Sequence, residues 1–256
     1  YMPRLDAIAY RTDENILEAF DMSRNVSNGY FLFNVYTESF DLTGLKNFSG
    51  LSIAFYGYPH EIDLSNLKYK DLRLFLKSGS KVSVKNMPDM ESLEIIGIPD
   101  DLGYAIFYDI EWDALPSLEQ LKISYSYFHA PLDISNIPVT ELRLRDFDCF
   151  DRGENIKFND ELELFLYTNN GLKSTYIKNI DLRDRDNLRV IQVTNNPGLE
   201  SIQYRITDIV ESILIRGCAN IDDFEYKREG ATAIKRKTDI IGSDDNTGNG
   251  KTIYYF

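Results

Sequence analysis

The sequence predicts a β-rich solenoid, a coil in which the short strands of successive turns stack into a parallel sheet. Three observations support this prediction: a repeated pair of apolar residues, a spacing between pairs of about 21 residues, and a second apolar segment within each turn. One such turn has a single apolar lining that it cannot bury alone. Neighbouring turns must therefore stack to form a continuous core.

The repeated element is an apolar-x-apolar pair, in which two apolar residues flank one other residue. The steps between first members are 20, 21, 21, 28, 21, 20, 29 and 22 residues. The pairs are Phe31/Phe33, Leu51/Ile53, Leu72/Leu74, Leu93/Ile95, Leu121/Ile123, Leu142/Leu144, Leu162/Leu164, Ile191/Val193 and Ile213/Ile215. Most pairs have a further apolar residue three positions earlier: Phe48, Tyr69, Met90, Leu118, Val139, Leu188 and Val210. Because side chains alternate along a strand, each pair is predicted to point inward.

A second apolar segment lies ten or eleven residues before many of the pairs. It reads "FDLTGL" at 40–45, "IDLSNL" at 62–67, "VSVKNM" at 82–87, "LDISNI" at 132–137 and "IDLRDRDNL" at 180–188. Two segments per turn indicate a coil with two walls. The second wall has no room for a regular helix, so short strands or 3₁₀ turns are predicted there.

The stretch "LRVIQVTNNPGLESI" at 188–202 fits the pattern L-x-x-L-x-L-x-x-N-x-x-L-x-x-L, with Asn196 in the Asn position. The stretch "VESILIRGCANIDDF" at 210–224 fits it with Cys218 in that position. Over roughly residues 30–224 the chain therefore resembles a divergent bacterial leucine-rich repeat protein with short, internalin-like repeats. The resemblance implies a β-rich α/β solenoid, a right-handed coil of about 8–9 turns of ~21 residues each. A parallel β-sheet would form one face, and short strands or 3₁₀ turns the other.

The earlier repeats depart from the family pattern at the Asn position. They hold Tyr56, Lys77, Ile98, Ser126, Phe147 and Tyr167 there. We therefore expect the buried Asn ladder of the family, which satisfies backbone groups in the turns, to be mostly missing from this chain.

Three segments are predicted along the chain. Residues 1–29 form an N-terminal helical cap, because "RTDENILEAFDMS" at 11–23 has the pattern of a short amphipathic helix. Residues 30–224 form the solenoid, with insertions near 97–117 and 165–187. Residues 225–256 form a C-terminal hairpin cap, in which two strands flank a loop rich in Gly, Asn and Asp.

The composition narrows the classes of partner. The formal net charge of −13 disfavours nucleic acid and anionic membrane surfaces. No apolar run is long enough to span a membrane, so no membrane insertion is expected. The chain does not begin with Met, and we expect a targeting segment to have been removed. The bacterial resemblance favours a secreted or cell-surface location.

No catalytic or metal-binding constellation is apparent. The chain has 2 His and 2 Cys, and neither His has a nearby ligand at metal spacing. The fragment "GNGKT" at 248–252 lacks the first Gly of a phosphate-binding loop, with Asp245 in its place. We therefore expect no catalytic residue, no metal and no cofactor, and we expect that the chain is not an enzyme.

Residues between and beside the inward pairs are predicted to point outward and to form the binding surface. Adjacent strands would bring Arg73 to Glu94 and Arg143 to Glu163. A solvated face with mutually neutralising charges remains an alternative. The predicted partner-binding residues are Arg73, Phe75, Glu94, Ile96, Lys122, Tyr125, Arg143, Arg145, Glu163 and Phe165.

The resulting functional hypothesis is a non-catalytic recognition module that binds an unidentified protein or peptide through the outward face of its parallel sheet. Aromatic residues and Arg are frequent anchors of protein interfaces. Two alternatives remain open. One is a glycan-binding or adhesion module that uses Trp112 and exposed Tyr residues as stacking platforms, and the other is a scaffold domain of a larger enzyme.

Overall fold

A computed structural model describes residues 7–12, 30–35, 50–55, 61–99, 105–107, 109–149, 156–170, 176–205, 207–227 and 253–255. The chain divides into two units, Tyr1–Tyr127 and Phe128–Phe256. Both units are built from parallel strands that follow the spacing of the apolar pairs.

The first unit contains two parallel sheets. Its strands are β1 (Ala7–Thr12), β2 (Tyr30–Val35), β3 (Gly50–Phe55), β4 (Glu61–Asp63), β5 (Asp71–Leu76), β6 (Lys81–Lys85), β7 (Ser92–Gly97), β8 (Ala105–Phe107), β9 (Asp109–Asp113) and β10 (Gln120–Phe128), whose last residue belongs to the second unit. The larger sheet has the order β1-β2-β3-β5-β7-β10, and β8 also pairs with β10. The smaller sheet, β4-β6-β9, forms the second wall.

The second unit repeats this arrangement. Its strands are β11 (Leu132–Asp133), β12 (Glu141–Cys149), β13 (Ile156–Lys157), β14 (Leu164–Thr168), β15 (Asn179–Leu182), β16 (Val190–Thr194), β17 (Ser201–Arg205), β18 (Ser212–Arg216), β19 (Phe224–Lys227) and β20 (Ile253–Tyr255). The larger sheet has the order β12-β14-β16-β18-β19, in which β19 pairs antiparallel with β18. The two-stranded sheet β11-β13 and the three-stranded sheet β15-β17-β20 form the other wall.

The predicted apolar pairs stack in register and form the core. In the first unit Ile53, Leu74, Ile95 and Ile123 align on successive strands, and all four are fully buried. Of the predicted apolar residues three positions before the pairs, those within the described residues, such as Tyr69 and Met90, are buried as well. Strand β5 alternates buried and more exposed residues along its length. The prediction of a β-solenoid with a parallel sheet is confirmed.

Residues with a left-handed backbone turn the chain at the ends of these strands. Each stands four residues after the first inward residue of its strand: Asn66, Asn86, Ala114, Tyr125, Asp146, Asn195 and Gly217. Asn, Asp and Gly tolerate positive φ better than other residues, which explains why they recur at this position. The corners also stack, since Asn86 Nδ2 donates to Asn66 Oδ1 at 2.5 Å.

The Asn position of the repeat lies one residue after this corner. Asn196 is fully buried, and its Nδ2 donates to the carbonyl of Thr194 at 2.9 Å. Cys218 and Ser126 direct their side chains to the carbonyl two residues earlier in the same way. Among the described residues, Asn occupies this position rarely, as expected. Ser126, which departs from the family pattern there, still makes the same hydrogen bond to the carbonyl two residues earlier.

The strand β14 corrects one predicted pair. Leu162 and Leu164 were predicted as its inward pair, but the inward residues of the strand are Phe165 and Tyr167, and Leu164 is half-buried on the outward side. Leu162 is fully buried as well, in the position three residues before the pair. Phe165 aligns with Leu142 and Ile191 on the neighbouring strands. Phe165 and Tyr167 bury more apolar surface than Leu164 and Leu166 would, which favours this register.

The predicted caps fall largely outside the described residues. Arg11 and Thr12 of the predicted helix 11–23 end the strand β1, which pairs in parallel with β2 ahead of the predicted start of the coil at residue 30. Residues 13–23 lie outside the described residues, as does most of the predicted C-terminal hairpin. Among the described residues there are strands and turns but no helix, so they lend no support to the α/β part of the predicted fold class.

Candidate functional site: the outward faces of the two larger sheets

The outward side chains of the larger sheet in the first unit form aligned rows, which we call the first face. Its middle row contains Arg73, Glu94 and Lys122 on the neighbouring strands β5, β7 and β10. Its described members on β3, β5, β7 and β10 are Ser52, Asp71, Arg73, Phe75, Ser92, Glu94, Ile96, Gln120, Lys122 and Ser124. The parallel register thus brings side chains about 21–28 residues apart in sequence to adjacent strands.

A shallow groove of about 450 Å³ lies on the first face, and it is lined mainly by polar side chains. Arg73 Nε donates to Glu94 Oε2 at 2.5 Å, as the cross-strand prediction required. Lys122 Nζ donates to Gln120 Oε1 at 3.1 Å. The groove is thus lined by both positively and negatively charged side chains and by neutral hydrogen-bonding side chains. Phe75 and Ile96 form a half-buried apolar row beside it.

The outward side chains of the larger sheet in the second unit form the second face. Four half-buried aliphatic residues occupy it: Leu164, Leu166, Val190 and Leu214. The remaining described members are Glu141, Arg143, Arg145, Thr168, Gln192, Thr194, Ser212 and Arg216, with Glu225 on β19 beside Leu214. The register aligns Leu166 with Gln192 and Gln192 with Leu214, so the aliphatic surface continues across three strands.

Arginine side chains border the second face. Arg143 pairs with Glu141 on its own strand, Arg145 Nε lies 3.6 Å from Asp146 Oδ2, and Arg216 Nη2 lies 3.8 Å from Glu225 Oε2. The latter two distances exceed hydrogen-bond length. Arg216 is therefore held more loosely than Arg73 is on the first face.

Most of the predicted binding residues lie on these faces, but two corrections are needed. Phe165 is a fully buried core residue, not an exposed anchor. Glu163 precedes the strand β14 and lies 3.8 Å from Arg189, so the predicted pair with Arg143 does not form. Tyr125 is half-buried at a left-handed corner at the end of the pairing register of β10.

Because the register of β14 was predicted wrongly, two residues of the second face were missed. Leu164 and Leu166 are outward because Phe165 and Tyr167 are inward. One signal in the sequence could have found them. The inward pairs are preceded by an apolar residue three positions earlier, and Leu162 stands three positions before Phe165, whereas Asn159 stands three positions before Leu162. The rule that an apolar residue precedes each inward pair by three positions therefore selects Phe165 and Tyr167 as the inward pair.

Two buried carboxylates of β12 hold the ends of the segment after β14. Asp146 Oδ1 accepts a hydrogen bond from the backbone N–H of Asn170 at 2.6 Å. Asp148 accepts bonds from the backbone N–H groups of Tyr176 and Ile177 at 2.8–3.1 Å. Burial raises the pKa of Asp148 to about 6, although these bonds act in the opposite direction. This segment lies within the predicted insertion 165–187.

The tryptophan, the cysteines and the described histidine lie outside the two faces. Trp112 aligns with the buried Val84 on the inward side of the second wall and is half-buried. Cys149 and Cys218 are buried free thiols, and burial raises the pKa of Cys218. His129 is exposed, and His60 lies outside the described residues. Within the described part of the chain, no group of three or more His, Cys, Asp or Glu is arranged to hold a metal ion.

Nothing in the described residues forms a helix of the length and apolarity needed to cross a lipid bilayer.

Comparison of the chain with protein-family models, with curated proteins and with solved structures finds no match.

Proposed function

We propose that this chain is a non-catalytic recognition module that binds a protein or peptide through the outward faces of its parallel sheets. The observation that supports this proposal most directly is the in-register arrangement of the outward rows. Charged, hydrogen-bonding and aliphatic side chains from distant parts of the sequence form continuous surfaces, of which the groove lined by Arg73, Glu94 and Lys122 is one. Extended surfaces of this kind suit a polypeptide partner.

The proposal includes the family and the location. We infer a divergent bacterial leucine-rich repeat protein, a right-handed coil of about 8–9 turns of ~21 residues. The buried Asn196 and Cys218, which bond backbone carbonyls in stacked turns, support that assignment. A secreted or cell-surface location follows from the bacterial resemblance alone and stays a prediction.

The test is affinity capture with this chain as bait, followed by direct binding measurements with each purified candidate. For a partner bound at the second face, Arg143→Ala combined with Leu166→Ala should lower affinity by about tenfold or more. For a partner bound at the first face, Arg73→Ala combined with Lys122→Ala should do so. Both sets replace exposed or half-buried residues, so the melting temperature should change little.

A matched control is Arg183→Ala, which removes an arginine beside β15 on the other wall of the second unit. It should leave affinity unchanged. Full affinity of a directly verified partner for both double variants would contradict the proposed binding faces.

A further inference from the structure

The second face has an aliphatic centre that the core does not require. Leu166 and Leu214 occupy outward positions on strands two apart, with Gln192 between them. Leu164 and Val190 lie beside them in the preceding row. All four aliphatic side chains are half-buried, so each retains exposed apolar surface. Burying that surface against a partner would contribute about 25 cal/mol per Å².

Charges are distributed unevenly around this centre. At the carboxyl ends of the strands, one row contains Arg145, Thr168, Thr194 and Arg216 in register. At the amino ends the exposed carboxylates are Glu163 and Glu211, both beside Arg189. Each of these arginines has one carboxylate near it, since Asp146 lies 3.6 Å from Arg145 and Glu225 lies 3.8 Å from Arg216. One edge of the aliphatic centre therefore presents two exposed guanidinium groups.

Arg216 has the clearest capacity to bind an anion. Its side chain is 64% exposed, and its contact with Glu225 spans 3.8 Å. Among the described residues, its guanidinium donates no hydrogen bond. A guanidinium presents two parallel N–H groups that fit a carboxylate in bidentate geometry. The next residue along the row, Thr194, shares a hydrogen bond of 2.8 Å with Thr168.

We propose that the second face binds an extended polypeptide segment that packs aliphatic side chains on Leu166 and Leu214 and places a carboxylate on Arg216. This inference rests on the proposed recognition function and specifies its partner. Strand spacing puts the Cα atoms of Arg145 and Arg216 about 14 Å apart, which an extended chain spans in about four residues. The preferred segment therefore has two acidic residues about four positions apart, with aliphatic residues between them.

The test selects ligands from a displayed library of random peptides of about 12 residues, a length that covers the whole row. The intact chain should enrich peptides that combine Leu, Ile or Val with Asp or Glu. For a resynthesised peptide, Arg216→Glu should weaken binding by about tenfold or more, and Leu166→Thr with Leu214→Thr should do the same. Affinity should also fall as salt concentration rises.

The matched control is Arg205→Glu, on β17 of the other wall, which changes the net charge by the same amount. It should leave peptide affinity within about twofold of the parent chain. Circular dichroism and melting temperature establish that every variant is folded. A repeat selection with the Arg216→Glu variant should replace the acidic residues of the selected peptides with Lys or Arg.

Four results would overturn the inference. Selected peptides that lack acidic residues, or that bind the Arg216→Glu variant with full affinity, would contradict it while leaving a recognition function intact. If the chain forms a dimer and Leu214→Thr abolishes that dimer, the second face binds a second copy of the chain instead of a peptide. If neither a displayed peptide nor a directly verified protein binds the chain, the recognition function fails together with the inference.

Discussion

The first face and the second face share one backbone pattern but present different chemistry. On the first face the middle row pairs Arg73 with Glu94 and lines a polar groove. On the second face the middle row has Leu166 and Leu214 on either side of Gln192. The inward residues must be apolar in both units because they form the core, whereas the outward residues carry no such constraint. Architecture is therefore common to the two units, and surface chemistry is set residue by residue.

The largest expected effect tests the register that creates the second face. Phe165→Ala should lower the free energy of unfolding by about 3–5 kcal/mol, because it removes a fully buried ring. That ring packs edge-to-face on Phe158 with centroids 5.3 Å apart. Leu166→Ala, one residue later and half-buried, should cost under about 1.5 kcal/mol. Chemical denaturation of both variants measures the difference.

A larger loss for Leu166→Ala than for Phe165→Ala would mean that β14 is shifted by one residue. Such a shift exchanges the two sides of a strand. Leu166 would then belong to the core, and the contrast between the two faces would be lost at that strand.

The β14 strand also marks the limit of sequence-based prediction. The pair Leu72/Leu74 was predicted correctly because the charged residues Asp71 and Arg73 lie on the opposite side of the strand and fix which side is inward. In "LELFLYT" at 162–168, apolar residues occupy both sides of the strand, so alternation alone does not determine register. The Arg73–Glu94 pair was predictable from a regular 21-residue spacing. The aliphatic centre of the second face was not, because it depends on that ambiguous register.

The second prediction concerns a close backbone contact that supports the first face. A Cβ added to Gly97 would lie 1.9 Å from the carbonyl oxygen of Tyr125. Gly97→Ala should therefore cost about 2–3 kcal/mol in unfolding free energy, by forcing β7 and β10 apart. These strands present Glu94 and Lys122. The variant should also weaken binding at the first face and leave binding at the second face unchanged.

Gly79→Ala is the matched control for this substitution. Gly79 has a φ of 86°, but no atom lies within 4 Å of its added Cβ. Its cost should be limited to about 1–2 kcal/mol of backbone strain. Equal losses for the two variants would show that the Gly97 contact can relax, and the first face would not depend on it.

The third prediction contrasts the pH dependence of a buried and an exposed aspartate. Burial raises the pKa of Asp148 from 3.8 to about 6 in the folded second unit. Between those values the folded chain holds a proton that the unfolded chain has lost. The contribution of Asp148 to stability is therefore greatest below pH 4, falls as pH rises through 6, and is constant above it. The change should be on the order of 3 kcal/mol, and Asp148→Asn should abolish it.

Asp63 of the first unit should respond in the opposite direction. Hydrogen bonds from the side chain and backbone of Ser65 lower its pKa, so its contribution is present above the unfolded value and is lost as pH falls below that value. Titration of both carboxyl groups by nuclear magnetic resonance, combined with denaturation across pH 3–8, measures the two responses. A normal pKa for Asp148 would contradict its description as a buried anchor of Tyr176 and Ile177.

The smallest expected effect compares one ion pair from each face by double-mutant cycles. Arg73 and Glu94 are in hydrogen-bond contact, but the Arg73 side chain is 52% exposed, so solvent screens the pair. We expect a coupling energy of about 0.2–1 kcal/mol from the stabilities of the parent, the two single variants and the double variant. Arg216 and Glu225, separated by 3.8 Å, should show coupling near zero. Stronger coupling for Arg216 would mean that its guanidinium is already committed to Glu225, and a partner carboxylate would then have to displace that residue before it could bind.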